Sequence, residues 1–121
     1  MAKKKSGKVN LKKAVVDAIL DKKGNDVVCL DLRKIKDTPS DYFIITHGDS
    51  GTHVKAISEN VLRETAKLGI KPYHTEGSKN AEWIIIDFVD VIVHIFYREK
   101  RFFYDLEELW NDAKVMKYLE G

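Results

Sequence analysis

The stretch Glu82-Trp83-Ile84-Ile85-Ile86-Asp87-Phe88-Val89-Asp90-Val91-Ile92-Val93-His94-Ile95-Phe96 constrains the fold more than any other part of the chain. It reads as two β-rich runs, Glu82–Phe88 and Val91–Phe96, around a tight turn. Val-Asp is a poor two-residue hairpin turn, since such turns favour Asn-Gly. With Val89-Asp90 as the loop, Phe88 faces Val91, Ile86 faces Val93 and Ile84 faces Ile95. All six are apolar and form one core face. The other face carries Trp83, Ile85, Asp87, Ile92, His94 and Phe96. A solvated face would not carry Trp, Phe and two Ile, and a second core face would not carry unpartnered Asp and His. Either helices cover this face and pair Asp87 and His94 within it, or part of it is an exposed apolar patch with a polar rim and a Trp anchor. The latter is the composition of a protein–protein hot spot.

The remaining elements follow from local signals. Asn10 can cap a helix running to Lys23, with Leu11, Val15, Ala18 and Ile19 as its apolar stripe and Gly24 as its stop. Val27–Leu32 and the apolar Tyr42–Thr46 read as strands, the second internal to a sheet. Arg33–Ser40 is a polar connector broken by Pro39. A long helix is predicted from about Thr52 to Leu68, with Val54, Ile57, Val61 and Leu68 on one face and Gly69 at its end. Lys71–Thr75 reads as a short strand. Phe102–Lys117 reads as helical in its second half, with an Asp105/Glu108 capping box and a Leu106, Leu109, Trp110, Ala113 stripe. The order αββαβββα predicts a single α/β domain with a mixed sheet of about five strands flanked by helices.

At 121 residues the chain suits one core. No apolar run reaches the roughly 20 residues of a membrane-spanning helix, and the N-terminus has no apolar segment of a secretory signal. The single cysteine, Cys29, sits in an apolar run and reads as a small buried hydrophobe in a cytoplasmic, reducing setting. Basic side chains number 21 and acidic ones 19; without Lys3, Lys4, Lys5 and Lys8 the count is 17 against 19. The folded body is therefore slightly acidic, which argues against a nucleic-acid groove on its face. Residues 1–8 read as a basic flexible tail, able at most to make salt-sensitive phosphate contacts, and 9–117 as the domain.

Thr46-His47-Gly48-Asp49-Ser50-Gly51-Thr52-His53 resembles the surroundings of a serine nucleophile. The simpler reading is a strand-to-helix turn: Asp49, Ser50 or Thr52 caps the helix, and Gly48 and Gly51 allow the change of direction. A nucleophile would need an oriented base, and sequence adjacency to His47 and His53 does not supply one. Thr52 also stands where a nucleophile elbow has its second glycine. A helix N-terminus attracts phosphate, but the loop matches no phosphate-binding motif, and Asp49 brings a negative charge. Nucleotide binding is the alternative functional reading. No metal or cofactor is expected: the histidines lack ligand spacing, and Asp87 and Asp90 read as strand and turn residues.

Three blocks together resemble the ribosomal silencing factor, or Iojap-like, family. The first is Asp41-Tyr42-Phe43-Ile44-Ile45, Gly48-Asp49-Ser50 and His53-Val54-x-Ala56-Ile57. The second is Glu76-Gly77 with Ala81–Phe96. The third is Arg101-Phe102-Phe103-Tyr104-Asp105-Leu106-Glu107-Glu108-Leu109-Trp110. The resemblance runs from about Val9 to Ala113. It departs at Asp49, where the family usually has Asn or Thr, and at Val89, where the family turn usually has Gly. The resemblance implies a nucleotidyltransferase-like fold without catalytic carboxylates and no enzymatic activity. It implies binding to the large ribosomal subunit through its fourteenth protein, a block to small-subunit joining, and lowered translation when nutrients are short. It further implies a homodimer in isolation and a bacterial cytoplasmic protein. Carried onto this sequence, Trp83 is the leading partner-contact position. Glu76, Gly77, Asp87 and His94 line or support that site. Tyr104, Asp105, Leu106 and Trp110 match the third block, as core or as interface.

Overall fold

The computed structural model describes residues 10–118, so the basic tail expected at 1–8 lies outside the described residues. Asn10 caps helix α1 (Leu11–Asp21), its side-chain oxygen accepting from the Lys13 amide at 3.1 Å. Strands β1 (Asn25–Asp31) and β2 (Tyr42–Gly48) pair antiparallel, and helix α2 (Gly51–Lys67) follows. Next come β3 (His74–Glu76), β4 (Trp83–Asp87) and β5 (Val91–Tyr97), then α3 (Arg98–Tyr104), α4 (Leu106–Leu109) and β6 (Lys114–Tyr118). The six strands form one sheet in the order β3-β4-β5-β2-β1-β6. Among the described residues only β2 and β5 run parallel; the other neighbouring pairs are antiparallel.

The hairpin has the register its sequence pattern demands. Ile84 pairs with Ile95 and Ile86 with Val93, and the Phe88 amide donates to the Val91 carbonyl at 2.8 Å. The turn is the two-residue Val89-Asp90 loop despite its unfavourable composition. Val89 is forced to φ 76°, a conformation a β-branched side chain resists. The Asp87 carboxylate steadies it by accepting from the Val89 amide at 2.7 Å.

The sheet has two unequal faces. Ile84, Ile86, Val91, Val93 and Ile95 lie in a core with Val15, Val16, Ile19, Val54, Ile57 and Val61 from α1 and α2. Asn60, 2 % exposed, ties the two helices by donating to the Ala18 carbonyl at 2.9 Å. On the opposite face Val28, Leu30, Phe43, Ile45, Ile92 and Phe96 pack with Leu32 and Ala113, flanked by half-buried Ile35, Trp83, Ile85, Leu106 and Trp110.

Five expectations are corrected. Among the described residues the sheet has six strands rather than five, because Lys114–Tyr118, expected up to Lys117 in a helix, pairs with β1 and covers an edge that would otherwise stay open. Asp105 makes no side-chain cap; it sits at φ 47° and breaks the segment into two short helices. Leu109, expected in the apolar stripe, is 70 % exposed, and Leu68, expected on the core face of α2, is 47 % exposed because it lies past that helix's last residue. The third strand begins three residues later than Lys71, after Pro72.

Candidate interaction surface

The loop Thr46–His53 is a structural joint. Ser50 Oγ accepts from the His53 amide at 3.1 Å, capping α2. His53 Nδ1 accepts from the Asp49 amide at 3.0 Å, and its Nε2 bonds the Lys22 carbonyl at 2.8 Å, so the ring pins the end of α1 to the loop. His47 Nδ1 faces the Arg101 guanidinium at 3.0 Å. Burial, and then the Arg101 cation, push the His47 pKa down, keeping it neutral. With both His53 nitrogens and His47 Nδ1 engaged in this way, none of the three is free to serve Ser50 as a base. Gly48 is needed for space: a Cβ there would lie 3.0 Å from the Val54 amide nitrogen. Gly51 meets nothing nearer than 3.7 Å.

The second face of the hairpin holds an aromatic stack. Trp83 lies on Phe96 with ring centroids 4.9 Å apart and meets Tyr104 at 4.6 Å, and Phe103 packs edge-on against Tyr104 at 5.1 Å. Phe96 is fully buried, Trp83 half-buried, Tyr104 44 % exposed and Phe103 75 % exposed, so the stack leads from the core to the surface. The Trp83 indole N–H donates to His94 Nδ1 at 3.1 Å. An indole can only donate, so the neutral imidazole carries its proton on Nε2. That Nε2–H has no hydrogen-bond acceptor among the described residues. The His94 ring meets Phe43 at 4.5 Å, and burial pushes its pKa down to about 4. Asp87, expected beside His94, instead caps the turn.

Gly77 supports this surface from below. Its φ is 86°, and a Cβ there would lie 1.9 Å from the Trp83 carbonyl oxygen, so any larger residue displaces the start of β4. Glu76 is exposed on β3, accepts from His74 Nε2 at 2.8 Å and pairs with Ile85 across the strands, at the edge of the face that carries Trp83. Leu106 and Trp110 are half-buried against the second core, and Trp110 meets Phe43 edge-on at 6.1 Å. Asp105 is exposed at the break between α3 and α4.

The most exposed apolar residues of α3 and α4 were not among the sequence-derived candidates. Phe102 is 67 % exposed, Phe103 75 % and Leu109 70 %. A signal was available. Consecutive helical residues turn by about 100° each, so Phe102, Phe103 and Tyr104 cannot all face one core. Among the described residues no group of three His, Cys, Asp or Glu is placed to hold a metal ion. No helix among them is long and apolar enough to cross a membrane.

Residues 5–120 match the family model described as "Ribosomal silencing factor during starvation". A ribosomal silencing factor of Halalkalibacterium halodurans is 40% identical over 106 residues, covering 88% of this chain and 89% of that one. A crystal structure of a Bacillus halodurans protein superposes with a TM-score of 0.78 at 35% identity, covering 89% of this chain and 97% of the other. A mouse protein named for mitochondrial assembly of the ribosomal large subunit is 32% identical over 75 residues, spanning 60% of this chain and 33% of its own length. The chain belongs to the ribosomal silencing factor family, and its α/β fold with a mixed open sheet is that of the solved relatives.

Proposed function

We propose that this chain silences ribosomes by occupying a protein surface on the large subunit and excluding the small subunit. The contact is made through α3, α4 and the Trp83 end of β4. The observation that carries this reading is the exposure of Phe102, Phe103, Tyr104 and Leu109 on two short helices, with Phe103 and Tyr104 continuous with the Trp83 stack. Exposed aromatic residues on a rigid backing are the usual anchors of protein interfaces. Asp105 and Glu108 lie exposed along the same helices, so the partner surface is expected to carry basic side chains around an apolar depression. The family resemblance supplies the partner, the fourteenth protein of the large subunit, and the mouse relative's name points to the same subunit.

A blocker of this kind needs no chemistry, only an interface that outlasts the competing subunit. A standard interface of roughly 1,600 Å² is enough. Trp83, being half-buried, serves as the base of the contact, while Phe103 and Leu109 make its most accessible part. His94 supports it from inside by accepting from the Trp83 indole. The free chain is proposed to be a homodimer, as the resemblance implies, and the lysines at 3, 4, 5 and 8 to add only salt-sensitive contacts to ribosomal RNA.

Co-sedimentation with separated large and small subunits, at low and moderate salt, tests the reading. Salt-resistant pelleting with large subunits alone is expected. Pelleting with both subunits that vanishes with salt would reduce the interaction to the tail and remove the docking surface.

A further inference from the structure

We infer that Arg101 is a positioning residue for this surface, tying α3 and α4 from beneath to the ends of β1 and β2 so that the exposed aromatic residues are held in one arrangement. The inference rests on the docking reading of the same surface.

Arg101 inverts the usual pattern of a surface helix. It is 5 % exposed, while the two residues after it, Phe102 and Phe103, face solvent. Its guanidinium is engaged on three sides. Nε and Nη2 donate to the two carboxylate oxygens of Glu107 at 3.2 and 3.0 Å. Nη1 donates to the Asn25 carbonyl at 3.3 Å and to His47 Nδ1 at 3.0 Å. One side chain thus joins the start of β1, the end of β2, α3 and α4. A planar fork with five N–H donors can do this; a lysine ammonium has no such geometry.

The two helices depend on such a tie. They have seven and four residues, too few to be stable alone. Neither has a side-chain N-cap, and Asp105 between them is at φ 47°. The aromatic residues they carry face solvent, so burial does not fix Phe102, Phe103 or Leu109. Held beneath the surface, Arg101 is out of a partner's reach. Its effect on binding must therefore pass through the geometry it imposes, by reducing the ordering that association would otherwise require.

Two variants test this, Arg101→Lys and Glu107→Ala, each followed by hydrogen exchange of the free protein and by affinity for large subunits. Faster exchange confined to amides 99–109 is expected, with β2 and β5 exchanging as in the wild type. Affinity is expected to fall about tenfold for Arg101→Lys and about threefold for Glu107→Ala. If Glu107 instead touched the partner directly, its replacement would weaken binding without changing exchange in the free protein, and the inference would be overturned for that residue. Uniform acceleration along the chain would overturn it too, because Arg101 would then be a general support of the fold. Wild-type affinity alongside accelerated exchange would show that the arrangement does not matter. Should Arg101→Lys fail to fold, Glu107→Ala, altered at a half-exposed site, decides by the same criteria. Failure of the wild type to bind large subunits would remove the docking reading, while the exchange pattern would still decide whether Arg101 holds α3 and α4.

Discussion

The two faces of the sheet solve the same problem differently. One is covered by α1 and α2, two long helices whose apolar stripes interlock with Ile84, Ile86, Val93 and Ile95. The other is covered by a connector, two short helices and the link into β6. There Trp83, Ile85, Leu106 and Trp110 stay half-buried, and the outermost aromatic residues remain in solvent. The first face carries stability. The second gives up burial at its margin and leaves apolar side chains exposed where the contact is proposed. Its polar devices match that use: Arg101 and His94 are buried where a stability-driven core would hold aliphatic side chains.

The contrast can be broken most strongly from the helix side. Ile57→Ala removes a fully buried side chain between α2 and the sheet and is expected to cost about 4 kcal/mol in urea unfolding. Ribosome binding per folded molecule should be unchanged. Next in size is the pH dependence set by His94. Its pKa is 6.5 unfolded and about 4 folded, so the unfolded chain binds more protons between those values. The contribution is complete above about pH 6.5 and falls away towards pH 4, by on the order of 3 kcal/mol. Chemical denaturation across that range should show the slope, and His94→Gln should flatten it. Smaller still is Phe103→Ala, whose side chain is 75 % exposed. It should weaken large-subunit binding by about 2 kcal/mol while changing stability by less than about 0.5 kcal/mol. Equal losses in both measurements would erase the distinction between the faces. Smallest is Val89→Gly at the hairpin tip, at the far end of β4 from Trp83. Relief of the φ 76° strain should raise stability by about 1 kcal/mol, less what glycine adds to unfolded-chain entropy, and leave binding alone.

The helix-covered half was legible in the sequence because its signals are local and periodic. The stripes of α1 and α2 and the alternation of β4 and β5 placed the core side chains and even the register, although Val-Asp argued against so tight a turn. The C-terminal segment misled for three physical reasons. Asp105 looks like a cap residue, but its backbone takes the left-handed conformation and its side chain caps nothing. Lys114–Tyr118 has little strand character of its own and becomes a strand because β1 offers it an open edge. An inward-facing arginine leaves Phe102 and Phe103 in solvent, and the break at Asp105 ends the helix so early that Leu109 leaves the expected stripe. Of the candidate residues, Trp83, His94 and Tyr104 are brought together in one stack. Asp87 is engaged at the hairpin tip, Glu76 lies opposite Ile85 at the edge of the same face, and Gly77 acts by leaving room for the Trp83 carbonyl. Two roles, the staple made by His53 and the contact of His47 with Arg101, needed the folded geometry, since their partners lie 31 and 54 residues away.

Hydroxyl-radical footprinting of the chain, free and bound to purified large subunits, tests the central division most directly. Phe102, Phe103 and Tyr104 should lose reactivity in the complex while Leu68, exposed past the end of α2, keeps its own. Phe103 remaining as reactive in the complex as in the free chain, or protection appearing at Leu68 instead, would contradict the account.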